Sequence, residues 1–355
     1  MKKQRILIDL SILKNIHRGL GQVALNYGRY FAQHYTGSEA YELYLLLPSK
    51  MKGTFGNQVR YIGINWFNRL MLCHIPRMDV WHAIHQQSYF RSIYPSTKYL
   101  LTIHDLNFIY EKTPKKVARY MRRLQKKINR ADKITCISEF VKQDIEKHMQ
   151  LHGKTVEVIY NGVERLDAAQ EMRPDFVKDT TPFFFTIGQV RKKKNFHVLL
   201  PLMRYYPDRQ LYIAGQKNTA YADYINHSIN DMQLPNVHLV GEVTNAERIW
   251  LYNHCEAFLF PSLFEGFGLP VVEAMLFGKA VFSSKETSLT EIGSDRAFFW
   301  NDFNPENMRD TINRHLPAFL QDTTEAQKNR AYARSFSYEK HLTRYLELYQ
   351  TLLHR

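Results

Sequence analysis

The sequence predicts an α/β protein built from two doubly wound domains, each with a parallel sheet. The first observation is the length of 355 residues, which exceeds what one ordinary core contains. The second is a series of short apolar runs along the whole chain, and the third is the helical spacing between many of them. Apolar strands of this kind are typical of sheets covered on both faces, and their alternation with helices is typical of βαβ units.

The apolar runs form two groups, and most of them end in a turn or polar residue. The first group comprises residues 6–10, 43–48, 80–85, 100–106, 133–138 and 156–162. The second group comprises residues 183–188, 211–215, 237–241, 257–262 and 280–284. Helical spacing is found over residues 20–32, 117–128, 140–148, 196–205, 246–255 and 271–277, and throughout 325–355.

A segment without a clear apolar period separates the two groups of strands. Residues 166–182 contain Pro174 and Pro182, and we interpret them as an interdomain linker. We therefore expect a first Rossmann-like domain over residues 1–165 and a second over residues 183–335. A final helix over residues 336–355 is expected to pack back on the first domain.

The positive charge is concentrated in the first half of the chain. The formal net charge is +14, and up to Arg165 there are 27 Lys and Arg against 12 Asp and Glu. Such a basic half indicates an anionic partner, which would be a phospholipid surface, a nucleic acid or a phosphorylated substrate. The alternative is a solvated surface that charge keeps soluble.

The cysteines and the N-terminal sequence indicate in which cellular compartment the protein is located. The three cysteines are scattered without metal-ligand spacing, which disfavours a disulfide framework or a cysteine-based zinc site and fits a reducing compartment. The N-terminus has only a short apolar run containing Asp9, so we expect a first strand rather than a signal peptide. No apolar run approaches the roughly 20 residues that span a bilayer. We expect a cytoplasmic protein.

Residues 260–278 combine two carboxylates, a glycine loop and a helix start. Glu265 and Glu273 have seven residues between them, and a Gly-x-Gly sequence occupies 266–268. Glycines let the backbone approach a ligand, and Pro270 suits the first turn of a helix. The turn therefore presents a helix N-terminus, with its partial positive charge, to a ligand. Glutamate is common in the first turn of helices of any function, which could explain Glu273 alone. It does not explain the combination of two glutamates, a glycine loop and a proline in residues 260–278.

This stretch resembles the signature of retaining, nucleotide-sugar-dependent glycosyltransferases of family 4, which have the GT-B fold. The matching features are the Glu-x7-Glu spacing, the preceding Pro-Ser and the following Gly-x-x-Val-x-x-Ser. The resemblance implies that Glu265 and the loop amides face the donor sugar, and that Glu273 binds the nucleotide ribose. The donor-binding set that it implies here comprises Gly266, Phe267, Gly268, Leu269 and Glu273.

A second family feature follows the first strand of the second domain. The sequence GQVRKKKN, from Gly188 onward, resembles the loop whose basic residues clamp the donor diphosphate. Lysines after a strand are credible counter-charges for two phosphates. We expect Lys194 to be one such cation, and the second cation is either Lys193 or Arg191. A solvated position is plausible for Lys192.

Three further stretches contain candidate donor-site residues. The strand-end sequence TIHDL implies that His104 lies beside the donor sugar, although a lone strand-end histidine is more often structural. Gly19 and Gly21 follow the first strand, together with Arg18, at the position of a phosphate-accommodating glycine loop. Ser288 lies in a stretch that resembles the loop beside the donor diphosphate.

A strongly basic segment begins at Lys115 and ends at Arg130, with eight basic residues and no acidic ones. An apolar stripe at helical spacing indicates that its other face packs on the core. The stripe comprises Val117, Met121, Leu124 and Ile128. The basic face is either solvated or lies against anionic lipid, where each cation contributes about 1 kcal/mol. The second of these alternatives predicts peripheral attachment to the inner face of the cytoplasmic membrane.

The resemblance implies transfer of a mannose- or glucose-type sugar from a nucleoside diphosphate, with retention at the anomeric carbon. The implied acceptor is a saccharide or a lipid-linked saccharide, in the synthesis of a surface polysaccharide or lipopolysaccharide. Catalytic roles fall on His104, Glu265 and Lys194. No Asp-x-Asp motif occurs, so we expect neither a metal nor a cofactor beyond the donor. Lysine and helix amides would stabilise the leaving diphosphate. No general base is assigned, because the departing phosphate is commonly proposed to take the acceptor proton.

Two alternatives remain open at this point. A nucleotide-sugar epimerase or a phosphorylase uses the same two-domain architecture, and a phosphorylase would need a pyridoxal-bearing lysine. A basic nucleic-acid-binding protein is a different class, and it is disfavoured because no recognised nucleic-acid motif accompanies the charge.

Overall fold

The computed structural model describes residues 3–15, 19–34, 41–64, 75–164 and 166–354. They divide into two compact units, which are Met1–Gly162 with Tyr338–Arg355 (unit 1) and Val163–Ser337 (unit 2). Residues 166–182, predicted as a linker, group with unit 2, where the amide of Met172 donates to the carbonyl of Ala246 over 3.1 Å. The C-terminal helix groups with unit 1.

Among the described residues each unit contains one sheet, and all of the strand pairs are parallel. Unit 1 contains β1 (Gln4–Asp9), β2 (Tyr41–Pro48), β3 (Arg60–Ile64), β4 (Val80–Ala83), β5 (Lys98–Ile103), β6 (Lys133–Cys136) and β7 (Val156–Val158). Unit 2 contains β8 (Phe183–Ile187), β9 (Gln210–Ala214), β10 (Val237–Gly241), β11 (Ala257–Phe260), β12 (Ala280–Ser283) and β13 (Phe298–Phe299). The predicted α/β fold class is confirmed.

The described helices lie between these strands and after them. In chain order they are α1 (Gly19–His34), α2 (Phe108–Glu111), α3 (Pro114–Arg130), α4 (Glu139–His148), α5 (Leu199–Leu202), α6 (Ala220–Asp231), α7 (Asn245–His254), α8 (Leu269–Leu276), α9 (Leu289–Gly293), α10 (Pro305–Gln321), α11 (Thr323–Arg334) and α12 (Tyr338–Leu353). Ser138 caps α4 by accepting from the amide of Val141 over 3.2 Å. None of these helices is long and apolar enough to cross a membrane.

Two helical predictions differ from the structure. Residues 196–205 form the short helix α5 between single turns of 3₁₀ helix, because Pro201 has no amide hydrogen to continue an α-helical ladder. Residues 325–355 are not one helix, since α11 ends at Arg334 and α12 begins at Tyr338. Between them, the carbonyl of Phe336 accepts from the amide of Val163 over 2.7 Å.

The strand order decides where loops meet. Among the described strands the order is β3-β2-β1-β4-β5-β6-β7 in unit 1 and β10-β9-β8-β11-β12-β13 in unit 2. In unit 1, successive strands are added on one side of β1 up to β3 and on its other side from β4 onward. In unit 2, the same reversal lies between β8 and β11. Ligands of open parallel sheets bind outside the carboxyl ends of the strands at such a switch point. The loops after β8 and β11 are therefore the first candidates for a site in unit 2.

A buried polar network fixes α12 to the sheet of unit 1. The two ring nitrogens of His82 lie 2.7 Å from the hydroxyl of Tyr349 and 2.8 Å from that of Thr102. The ring of His341 lies 2.6 Å from the hydroxyl of Tyr27 on α1. Burial lowers the pKa of His82 well below its usual value and lowers the pKa of His341 to about 4. Both rings are therefore neutral at pH 7.

Candidate functional site

The loops after β8 and β11 bring together a lysine and a glutamate. The ammonium Nζ of Lys194 lies 2.5 Å from Oε1 of Glu265. The two side chains are 11% and 15% exposed, so the pair is mostly shielded from solvent but still accessible. The contact exists because β8 and β11 are neighbours in the sheet, with Phe184 opposite Ala257.

The backbone around Lys194 directs its side chain inward. Residues Lys192–Lys194 form one 3₁₀ turn, in which Lys194 is buried, Lys193 is half-buried and Lys192 is exposed. The ammonium of Lys194 lies 4.9 Å above the centroid of the Phe260 ring. A Cβ added at Gly188 would lie 2.9 Å from Cε of Lys194, so glycine there leaves room for this side chain.

The other two candidate cations of this loop differ in exposure. Arg191, which precedes the turn, is exposed, whereas Lys193 is half-buried. The carbonyl of Lys193 accepts from the amide of Leu263 over 2.8 Å, which ties the two loops together through the backbone. The second phosphate-binding cation therefore stays a prediction between these two residues.

Serine and threonine side chains hold the loop of Glu265 from both ends. The hydroxyl of Ser262 donates to Oε1 of Glu265 over 2.6 Å, and Thr287 Oγ1 accepts from the amide of Glu265 over 3.0 Å. The buried hydroxyl of Ser288 lies 3.1 Å from the carbonyls of Glu265 and Phe267. Ser288 was predicted to bind donor, and its side chain here holds the loop. Thr287 has a φ of +56°, which is strained for a β-branched residue.

The glycine loop leads directly into α8. Gly268 precedes the helix with a φ of +105°, a conformation that favours glycine. The helix begins at Leu269 and has Pro270 in its first turn, so its first amides point out of the N-terminus. Gly266 is buried, and the ring of Phe267 packs edge-on against Phe336 at 5.7 Å between centroids.

Glu273 is buried one turn into α8, and two side chains of α7 hold its carboxylate. Nη1 of Arg248 donates to Oε1 over 3.1 Å, and the hydroxyl of Tyr252 donates to Oε2 over 2.9 Å. The charge of Glu273 is the main cause that raises the pKa of Arg248. Burial raises the pKa of Tyr252 well above its usual value, so its hydroxyl stays a donor.

His104 lies in unit 1 at the end of β5 and is buried. Its Nε2 donates to the carbonyl of Ile84 over 2.7 Å, which leaves Nδ1 as the unprotonated nitrogen. Burial lowers its pKa to about 4, so the ring is neutral at pH 7. Its backbone amide donates to the side chain of Gln86 over 3.0 Å.

The predicted glycine loop after β1 needs a correction. Gly19 is the first residue of α1 and Gly21 lies buried in its first turn, so both belong to the helix rather than to a loop before it. Neither has a positive φ, because a helical turn requires none. Arg18 lies outside the described residues.

The basic residues of helix α3 fall into two groups, one that binds backbone carbonyls and one that is exposed to solvent. The ammonium of Lys127 donates to the carbonyls of Gln86 and Ser88, over 2.6 and 2.5 Å, and Arg130 donates to the carbonyl of Ser92 over 2.5 Å. Burial lowers the pKa of Lys127 to about 8. The remaining basic residues of the helix are exposed, and they are Lys115, Lys116, Arg119, Arg122, Arg123 and Lys126.

Within unit 2, the structure brings Lys194, Glu265 and Ser288 together, with Glu273 on the helix that follows the loop. The sequence interpretation missed Arg248, Tyr252 and Thr287. The first two are four residues apart on a predicted helix, which places them on one face, but no sequence signal connects that face with Glu273. Among the described residues, no cluster of His, Cys, Asp and Glu has the arrangement of a metal site.

Two family models match the chain. Residues 168–352 match the family described as "Glycosyl transferases group 1", and residues 29–165 match "Glycosyltransferase Family 4". The first match covers more than half of the chain.

Curated proteins that are similar to parts of the chain include two mannosyltransferases. The O-antigen chain mannosyltransferase RfbU of Salmonella typhimurium is 28% identical over 203 residues, which cover 57% of this chain and 56% of RfbU. The serotype-specific mannosyltransferase WbdA of Escherichia coli is 28% identical over 239 residues, which cover 60% of this chain and 27% of WbdA. The matched part is thus less than two thirds of either relative.

Solved structures share the fold over nearly the whole chain. The crystal structure of Alr3699/HepE of Anabaena, in complex with UDP-glucose, has a TM-score of 0.75 and 16% sequence identity. The alignment covers 98% of this chain and 99% of that one. At this identity the similarity shows the fold alone.

Proposed function

Because the chain belongs to the glycosyl transferases group 1 family, we propose that it is a hexosyltransferase that uses a nucleoside-diphosphate sugar. The acceptor is a saccharide or a lipid-linked saccharide of a surface polysaccharide or lipopolysaccharide. The sugar is of the mannose or glucose type, and the relatives RfbU and WbdA, both named mannosyltransferases, favour mannose.

The contact between Lys194 and Glu265 is the observation that carries this proposal. An ammonium group has three N–H donors, and Lys194 directs one of them at Glu265. Two donors are then available for oxygens of the leaving phosphate, and the first amides of α8 add partial positive charge. A shielded site strengthens these interactions as negative charge develops on the phosphate.

The proposed reaction proceeds with retention at the anomeric carbon. The bond from that carbon to the diphosphate oxygen breaks, and a bond to the acceptor oxygen forms on the same face of the sugar. The acceptor proton passes to the departing phosphate oxygen, so no protein base is required. Glu265 and the amides of residues 266–268 orient the donor sugar, and Leu269 adds the first amide of α8. Gly188 provides space beside the diphosphate for Lys194.

In unit 1, His104 acts as a neutral hydrogen-bonding group beside the donor sugar. With Nε2 committed to the carbonyl of Ile84, its Nδ1 accepts a hydrogen bond from a sugar hydroxyl. A pKa of about 4 makes it unsuited to proton donation at pH 7. Gly19 and Gly21 contribute through the N-terminal amides of α1.

We also propose that unit 1 binds the acceptor at the inner face of the cytoplasmic membrane. The six exposed cations of α3 provide attraction to anionic lipid. The loop held by Lys127 and Arg130 carries Tyr89, which is 72% exposed, and beside it lies Ile93, which is 47% exposed. An exposed aromatic ring and an exposed aliphatic side chain, on a loop that a basic helix holds, suit a lipid interface.

Transfer assays with a panel of nucleoside-diphosphate sugars test the proposed reaction. The full chain is incubated with each donor, with and without polyprenyl-diphosphate-linked saccharides, and products are analysed by mass spectrometry and NMR. One donor should lose its hexose, and the product should keep the anomeric configuration. Absence of donor turnover, together with no thermal stabilisation by any nucleoside diphosphate, would reject the proposal.

The same assays separate the alternative reactions. An epimerase would convert the donor without an acceptor, and a phosphorylase would consume free phosphate. Stabilisation by an oligonucleotide, but by no nucleoside diphosphate, would favour nucleic-acid binding. For the membrane proposal, the protein should float with anionic vesicles and not with neutral ones, and equal or absent binding rejects it.

A further inference from the structure

Among the described residues, the donors to the carboxylate of Glu273 come from one side. A buried carboxylate is unfavourable unless it is paired and hydrogen-bonded. Oε1 accepts from Arg248 and Oε2 accepts from Tyr252, and both donors come from α7. An ionised carboxylate accepts about four hydrogen bonds, so about two positions remain for a ligand.

The geometry of α7 suits a positioning role. Arg248 and Tyr252 are four residues apart, so they project from the same face of the helix. Each donates to a different oxygen of Glu273, which fixes the rotation of the carboxylate as well as its place. Nη2 of Arg248 also lies 3.9 Å from Oε2 of Glu164, so this guanidinium interacts with two carboxylates.

Aromatic packing fixes the hydroxyl of Tyr252. Its ring stacks on Phe277 at 5.8 Å between centroids and an interplanar angle of 8°. It meets Phe185 edge-on at 5.1 Å, and it is fully buried. The hydroxyl is therefore held in place before any ligand arrives, which is the condition for preorganised recognition.

We propose that Arg248 and Tyr252 are positioning residues that fix the Glu273 carboxylate to accept from the 2′- and 3′-hydroxyls of the donor ribose. This inference rests on the proposed function, because it assumes that unit 2 binds a nucleoside diphosphate. Two vicinal hydroxyls need two acceptor positions in a fixed plane. The carboxylate of Glu273 provides them through the acceptor positions that Arg248 and Tyr252 do not occupy. A purely structural role would stabilise Glu273 equally but would give no selectivity for ribose.

Ribose discrimination is the measurement that distinguishes these roles. The protein and its Tyr252→Phe variant are titrated by isothermal calorimetry with UDP, GDP, ADP and CDP, and with the 2′-deoxy and 3′-deoxy forms of each. The unchanged protein should bind the best ribonucleotide about tenfold more tightly than its deoxy forms. In Tyr252→Phe the ribonucleotide should bind about tenfold more weakly, with little change for the deoxy forms, so that the ratio approaches one.

Tyr206→Phe is the matched control. Tyr206 is another buried tyrosine of unit 2, and its hydroxyl donates to Oδ1 of Asn313 over 2.8 Å. Its loss should leave ribose discrimination unchanged. Arg248→Lys keeps a cation but loses the planar fork, and it should also reduce discrimination, which provides a second variant if Tyr252→Phe folds poorly.

Each outcome bears on a different claim. If the unchanged protein binds no nucleoside diphosphate, the proposed function fails. If it binds one without discriminating ribose, or if a folded Tyr252→Phe or Arg248→Lys variant discriminates as well as the unchanged protein, the positioning inference is overturned while the proposed function stands.

Discussion

Nζ of Lys194 and Oε1 of Glu265 are 2.5 Å apart, although 71 positions separate the two residues in the chain. The distance is short because each residue follows a strand, and those strands, β8 and β11, are neighbours at the point where the sheet order reverses. A cation for phosphate and a carboxylate for the sugar thus lie at one end of one sheet.

Replacement of either residue should abolish transfer. We expect Lys194→Ala and Glu265→Ala to reduce kcat by at least about 10²-fold, the scale for loss of one preorganised charge-stabilising group. Thermal unfolding should show that both variants are folded. Lys192→Ala is the matched control, since Lys192 lies in the same turn but is exposed, and it should retain activity. Full activity in either test variant would refute the site assignment.

The hydroxyl of Ser288 should matter through the loop that it holds. In Ser288→Ala, the carbonyls of Glu265 and Phe267 lose a buried donor, which destabilises the protein by about 1–3 kcal/mol. The loop should shift, and kcat/KM should fall. The control is Ser283→Ala, which removes a buried hydroxyl 3.3 Å from the carbonyl of Phe260. It should lower stability without a comparable loss of kcat/KM, and equal losses in both variants would contradict the role of Ser288.

The cations of α3 should separate into two functional groups. Lys127→Met leaves two carbonyls without their donor, so we expect a loss of about 1–3 kcal/mol in unfolding free energy. Its binding to anionic vesicles should change little. The double variant Arg122→Glu/Arg123→Glu reverses two exposed charges, and it should abolish flotation while leaving the melting temperature nearly unchanged. The opposite pattern would show that the exposed face does not bind lipid.

Acid should destabilise unit 1 through its buried histidines. The pKa of His341 is about 4 in the folded protein and about 6.5 when exposed, so the unfolded state binds more protons between these values. The stabilisation is complete above pH 6.5 and is lost as pH falls, by about 2 kcal/mol at pH 5 for this one group. Melting temperatures between pH 7.5 and pH 5 measure the effect.

Variants identify the source of that pH dependence. His341→Gln should be less stable at pH 7.5 but should lose less stability on acidification, because one titrating group is gone. His227→Gln removes an exposed histidine and should keep the original profile. A melting temperature that does not change from pH 7.5 to pH 5 would exclude this linkage.

Chelation should not impair the proposed transfer. The charge on the leaving diphosphate is assigned to Lys194 and the amides of α8, so we expect the rate to be the same with and without EDTA. The measurement is the initial rate after dialysis against chelator. Loss of activity that Mg²⁺ or Mn²⁺ restores would assign this charge stabilisation to a metal instead.

The sequence predicted those strands and helices that a local pattern of apolar residues identifies. The apolar runs predicted β1, β8 and β11, because strands buried on both faces must be almost continuously apolar. The strands β3 and β13 were missed, since both lie at sheet edges and neither forms a long apolar run. The break between α11 and α12 was also missed, because residues on either side of it favour helix equally.

By itself, the sequence determined the α/β class and, through the string of residues 260–278, the family. Only the tertiary structure decided that Lys194 contacts Glu265, that Lys127 is a structural cation, and that Arg248 and Tyr252 hold Glu273. The spacing of apolar residues along a helix or strand indicates which side of it is buried. It does not record which distant element covers that side, because this depends on strand order and packing across the whole unit.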